Sequence, residues 1–120
     1  MKKFKVLLVF LIFFNNTGSQ NLGRGYQFSL FKNTPNWELA KAVEKEDANE
    51  INLLLKTGNY NINLQEPKFG TTLLMLAIGN DKYESTKSLL ENGASVNIKD
   101  SFQTSPIFEA SKFIELKKNH

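Results

Sequence analysis

Apolar residues along this chain fall into short, punctuated runs, and each later run carries the marks of a helix. Leu73 to Gly79 is an apolar stretch opened by Thr72, a good N-cap. Asp81-Lys82-Tyr83-Glu84 has capping-box spacing and opens a second helix running to Asn92, with Gly93 placed to end it in the left-handed conformation. The same logic stands upstream. Thr34 is placed to cap, Pro35 suits a first helical turn, and Trp37 to Lys45 reads as a helix. Asp47-Ala48-Asn49-Glu50 is a second capping box, and the helix it opens closes at Gly58. Ser105-Pro106 opens a last helix, expected to run to about Lys117.

These pairs recur. Gly70-Thr71-Thr72-Leu73-Leu74-Met75-Leu76-Ala77 aligns with Gln103-Thr104-Ser105-Pro106-Ile107-Phe108-Glu109-Ala110 at an offset of 33. Leu53-Leu54-Leu55-Lys56-Thr57-Gly58 aligns with Ser88-Leu89-Leu90-Glu91-Asn92-Gly93 at 35, and Asn63 answers Asn97 at 34. A period in this range marks units that cannot bury their apolar face alone and do so by stacking.

The N-terminal run differs. Lys2, Lys3 and Lys5 precede nine unbroken apolar residues, Val6 to Phe14, after which Asn15 to Ser19 turn small and polar. That order is the order of a secretory signal peptide, and the run is under half of the about 20 residues that span a bilayer. Thr17 and Ser19 suit a signal peptidase and place cleavage between Ser19 and Gln20. An uncleaved anchor and a buried helix are the alternatives. The expected location is periplasmic or secreted, with membrane contact only during export. Residues 20–33 show no clean period, and Gly23 and Gly25 argue against a helix there. They read as a linker with some packing, or else as a strand-like arm.

Charge then narrows the partner. Taking Lys2, Lys3 and Lys5 from the 15 basic residues leaves 12, against 12 acidic ones. The basic balance therefore sits at the N-terminus, and nucleic acid, which needs clustered Lys and Arg, is a poor partner. The chain has no cysteine, so disulfides, thiolate metal sites and thiol nucleophiles are excluded. Its one histidine, His120, is the terminal residue. Asp47 with Glu50 and Asp81 with Glu84 are carboxylate pairs, but each fits a helix cap. Gly23-Arg24-Gly25 lacks what a phosphate loop needs, and no base activates a Ser or Thr. The reading is of no enzyme, cofactor, metal or small-molecule substrate.

The second unit resembles the ankyrin repeat. Gly70, Thr72, Leu74 and Ala77 match that family's opening, Leu89-Leu90-Glu91-Asn92-Gly93-Ala94-Ser95-Val96-Asn97 matches its closing run, and Asp100 begins the next unit. The resemblance covers about 37 to 118 and implies an all-α solenoid of about two and a half helix-turn-helix repeats joined by short hairpin loops. The divisions are a signal peptide at 1–19, a linker or arm at 20–33, and a repeat domain at 34–120, with repeats at about 34–66, 67–99 and a partial 100–120. Departures are Leu73 for the usual Pro, Met75 and Phe108 for the His, Gln103 for the turn Gly, and Pro67 where Asp usually opens the hairpin, which predicts an irregular first turn. The missing last outer helix also suits a truncated remnant of a longer array.

Stacking would set Ile51, Leu54 and Leu55 against Leu89, Leu90, Leu74 and Leu76, with Ala40, Ala42, Ala77 and Ala110 letting inner helices approach. Trp37 and Leu39 would close the N-terminal end, and Phe108 and Phe113 would seat the last helix. The resemblance implies a monomeric module that binds another protein through hairpin fingers and the concave inner-helix face. By position these are Lys68, Phe69, Thr71, Gly79 and Asn80 in one repeat, and Lys99, Ser101, Phe102, Thr104 and Lys112 in the next. Phe69 and Phe102, 33 apart, sit at fingertips where a polar residue is usual. They are either an aromatic hot spot or core that folds back on the next finger.

Overall fold

The computed structural model describes residues 26–111. Among them helices α1 (Trp37–Glu44), α2 (Ala48–Lys56), α3 (Leu73–Gly79) and α4 (Tyr83–Glu91), and a further helical turn α5 over 106–111, follow one 3-10 turn at Phe28–Phe31, with no strand. The expected signal peptide, Lys112, Phe113 and the expected continuation of the last helix to Lys117 lie outside the described residues.

Local chemistry sets the helix ends. Thr72 Oγ1 accepts from the Met75 N–H at 3.3 Å and starts α3. Asp47 Oδ1 accepts from the Glu50 N–H at 3.0 Å and starts α2. Gly58 and Gly93 take φ of 76° and 87°, and the N–H of each turns back to close the last turn of α2 and α4.

Two of the expected starts shift. Thr34 does not cap α1. Its hydroxyl donates to the Phe31 carbonyl and accepts from Asn36 N–H, holding a turn, and Asn36 is the residue before the helix. Asp81 does not cap α4 either. It takes φ 56°, the counterpart of Glu46 at 59°, and Lys82 occupies the cap position. The capping boxes at Asp47 and Asp81 look alike at an offset of 34. Folded, Lys82 rather than Asp81 stands where Asp47 does, because the turn before α4 needs one left-handed residue first.

Packing follows from the faces these helices present. α1 lies against α2 and α3 against α4, α1 against α3 in the inner row, and α2 against α4 in the outer row. Leu39, Val43, Ile51, Leu73, Leu74, Leu76, Ile78 and Leu89 are buried, and Leu54 and Leu55 pack half-buried on the same core. Ala40, Ala42, Ala77 and Ala110 are buried where helices approach. Burying a Leu or Ile side chain is worth about 2 kcal/mol, and neither helix pair has enough partners alone. Trp37 is half-buried against the core with Lys41 over its ring at 5.6 Å.

Polar groups register the stack. Ser85 Oγ donates to the Val43 carbonyl at 2.5 Å, Asn36 Nδ2 to the Asn61 carbonyl at 2.7 Å, and Ser95 N–H to Asn63 Oδ1 at 2.8 Å. On the outer row Asn52 Oδ1 accepts from Ser88 Oγ and Asn92 Nδ2.

Residues 26–31 pack on the body without forming a strand: Phe28 and Phe31 are buried in the core and their turn lies on α1. One further expectation is corrected. Phe108 does not seat the last helix and is 48% exposed. Pro106 and Ala110, four apart on one face of α5, are buried, which turns position 108 outward.

Candidate protein-docking site

Each hairpin finger is folded around a carboxylate. In the second, Asp100 Oδ1 accepts from the N–H groups of Phe102 and Thr104, both at 2.9 Å, while Asp100 N–H donates to the Thr104 carbonyl. In the first, Glu66 does this work. Its carboxylate is buried and accepts from the N–H groups of Lys68 at 2.7 Å, Phe69 at 2.9 Å and Thr71 at 3.0 Å. Glu66 N–H donates to the Thr71 carbonyl, as Asp100 N–H does to that of Thr104. The first turn is therefore ordered. Pro67 occupies the position expected for Asp, and the acid moves one residue upstream, where a longer side chain spans the added residue. The signal for it was a Glu directly before Pro67.

The fingers are tied side by side. Ser101 N–H donates to the Phe69 carbonyl at 2.8 Å, and Gln65 Nε2 donates to the Gly70 and Lys99 carbonyls, each at 2.9 Å. This alignment brings the Phe69 and Phe102 rings together, with centroids 5.9 Å apart and planes inclined by 27°. Lys68 Nζ lies 5.2 Å from the Phe69 centroid. Phe69 is half-buried and Phe102 is 67% exposed. The result is an aromatic stack flanked by a cation and open to solvent on one side.

Other residues expected at the site are placed less favourably. Lys68, Lys99 and Ser101 are exposed and Thr104 is half-buried along the same edge. Thr71 is buried, since its N–H and carbonyl are used to close the finger. On the concave face Gly79 is buried and Asn80 half-buried. Both are covered by Tyr26, whose ring lies so close to Gly79 that a Cβ there would stand 2.3 Å from Tyr26 Cδ1. Asn80 Nδ2 donates to the Tyr26 carbonyl at 3.0 Å, and the Tyr26 hydroxyl bonds the Glu109 side chain. Lys112 lies outside the described residues. Sequence reasoning took Tyr26 as an apolar residue of the arm but did not place it, or Glu109, at this face. An aromatic two residues before the buried Phe28 was the only local hint.

Among the described residues no cluster of three or more His, Asp or Glu could hold a metal ion, and no helix is long and apolar enough to cross a membrane. A cavity of about 150 Å³ on the outer row is lined by Ala48, Asn52, Glu84, Lys87, Ser88 and Glu91. These are groups of mixed sign with no nucleophile–base pair.

Stacked helix pairs with carboxylate-folded fingers define a repeat protein of the interaction class. The chain belongs to the ankyrin-repeat family, whose model matches residues 9–117 as three copies. Ankyrin repeats mediate binding to other proteins. Among curated proteins, a segment of 48 residues is 46% identical to the probable 26S proteasome regulatory subunit p28 of Saccharomyces cerevisiae, covering 40% of this chain and 21% of that protein. The matched segment thus spans about a fifth of that relative's length. No solved structure matches the chain.

Proposed function

We propose that this chain is a non-enzymatic docking module that binds another protein along its finger edge, with the Phe69–Phe102 stack at the centre and Lys68, Lys99 and Ser101 at the rim. The observation that carries this reading is the exposure of Phe102 beside a ring it already stacks on. An aromatic held rigid before binding loses little entropy on docking, and such residues supply much of an interface's energy. The core reading of these phenylalanines would have Phe102 covered by the next finger, and it is not covered within the described residues.

The proposed module works after export, as a periplasmic or secreted monomer starting near Gln20. Lys2, Lys3 and Lys5 before Val6 to Phe14 support this. The relative's printed name places that protein with the proteasome, and the shared segment supports a common docking mode only. Intact mass of the protein from its native cell separates export with cleavage from an uncleaved, tethered form.

The docking claim is tested by crosslinking in that cell, followed by binding of the captured protein to Phe69→Asp/Phe102→Asp. Affinity lost by at least about tenfold, with the fold intact, supports the finger edge. Unchanged affinity overturns it.

A further inference from the structure

We propose that Asn92-Gly93 is a self-modification site, where the Asn92 amide is hydrolysed to a carboxylate at a rate set by a clamp between the outer helices of the two repeats. Asn92-Gly93 is the one Asn-Gly step in the chain. Glycine has no side chain to keep its nitrogen away from the preceding amide, which makes asparagine most labile before it. Asn92 is exposed to water and ends α4.

The reaction needs only water. The Gly93 nitrogen attacks Asn92 Cγ, and the new N–Cγ bond closes a succinimide ring. The Cγ–Nδ2 bond breaks, and Nδ2 leaves as ammonia carrying the Gly93 amide proton. Water then opens the ring at either carbonyl, giving an aspartate or an isoaspartate whose main chain runs through Cβ.

In the folded chain both reacting groups are held apart. Asn92 ψ is 10°, which eclipses the Gly93 nitrogen with Asn92's own nitrogen and turns it away from the side chain. The Gly93 N–H donates to the Leu90 carbonyl at 3.0 Å and the Ala94 N–H to the Leu89 carbonyl at 3.0 Å. These two bonds fix the nucleophile in the cap of α4. The leaving group is fixed as well. Asn92 Nδ2 donates one hydrogen to the Ser88 carbonyl at 2.8 Å and the other to Asn52 Oδ1 at 2.7 Å. A carbonyl can only accept, so Ser88 sets which end of the Asn92 amide faces it. Asn52 Oδ1 also accepts from Ser88 Oγ at 3.0 Å, and that serine is buried. Ring closure therefore waits until the last turn of α4 opens and the amide leaves Asn52.

The product undoes the clamp. A carboxylate at position 92 cannot donate to Asn52 or to the Ser88 carbonyl. It also puts a negative charge at the C-terminal end of a helix, where the macrodipole disfavours it. Isoaspartate further lengthens the main chain inside the cap that Gly93 and Ala94 close. The conversion is irreversible and loosens α2 from α4, so the outer row weakens with the time the chain has spent open.

The test incubates the full chain, folded and in denaturant, and locates amide hydrolysis by peptide mass mapping. In denaturant Asn92 should convert before any other asparagine. Folding should slow it at least as much as it slows hydrogen exchange of the Gly93 amide, since both need the same turn to open. Asn52→Ala removes the acceptor and should speed the folded-state reaction about fivefold, with the denatured rate unchanged. Asn52→Asp keeps an acceptor oxygen and should restore the slow rate. Asn92→Asp, which makes one product directly, should unfold at lower denaturant than wild type. Another asparagine converting first in denaturant, or slowing weaker than that of Gly93 exchange, overturns the proposal. So do equal folded-state rates for wild type and Asn52→Ala, Asn52→Asp reacting as fast as Asn52→Ala, or Asn92→Asp as stable as wild type. If Asn52→Ala fails to fold, the comparison with Gly93 exchange in wild type decides alone.

Discussion

Gly70 and Gln103 occupy the same place in successive fingers and the same left-handed backbone conformation, with φ of 72° and 63°. Glycine adopts it freely. A glutamine there carries a steric penalty of about 1–2 kcal/mol, partly offset because glycine gains more freedom on unfolding. Gln103→Gly should therefore stabilise the protein by about 1 kcal/mol in denaturant titration. Gly70→Ala should destabilise it, since its Cβ would add a 3.3 Å contact with Gln65 Nε2 to the strain. A neutral or destabilising Gln103→Gly would mean that the second finger does not hold this conformation in solution.

Glu66 is the buried keystone of the first finger, accepting from three main-chain N–H groups. Glu66→Ala leaves all three without that acceptor and should lower stability by about 3 kcal/mol. Glu66→Gln keeps one acceptor oxygen and should lose less. Equal losses for the two variants, measured by denaturant unfolding, would show that the carboxylate's bonds contribute little.

Thr86 Oγ1 is buried in α4 without a hydrogen-bond partner. Replacing the hydroxyl by a methyl of similar shape removes a desolvated polar group, so Thr86→Val should raise stability by about 1 kcal/mol. A loss of stability would place a bound water at that oxygen.

Tyr26 should ionise later than an ordinary tyrosine, near pH 10. Burial raises its phenol pKa first, and the charge of Glu109 and the bond to it raise it further. A folded-state pKa above the unfolded one gives stability that is complete below about pH 10 and is lost as pH rises toward the folded value. The difference between the ultraviolet titrations of wild type and Tyr26→Phe isolates this phenol. It should show ionisation above the ordinary range, and the stability gap between the two proteins should close as pH rises past 10. Ionisation at an ordinary pH would place Tyr26 outside the concave face.

The parts legible in the sequence were those determined within a few residues. Thr72, Asp47, Gly58 and Gly93 mark helix ends through contacts no more than five positions away, and each does so in the structure. Asp81 misled because its spacing to Glu84 copies a capping box, while the turn before α4 needs a left-handed residue that Asp81 itself supplies. Glu66 was hidden by a one-residue difference in finger length, which moved the acid past the position where Asp was sought. The seat of Tyr26 on Gly79 and Glu109 joins residues more than 50 apart, and no periodicity encodes it. Fingertip placement of Phe69 and Phe102 followed from the repeat offset, but the exposure of Phe102 depended on how two fingers align, which the Ser101 to Phe69 bond and the Gln65 bridge between the fingers set.

A photo-crosslinking residue placed at Phe102 or at Leu53 tests the docking claim directly in the native cell. Both positions are exposed, Phe102 at 67% on the finger edge and Leu53 at 61% on the outer helix α2. The finger-edge account predicts a discrete protein adduct from position 102 and none from position 53. An adduct from position 53 with none from 102 would contradict it.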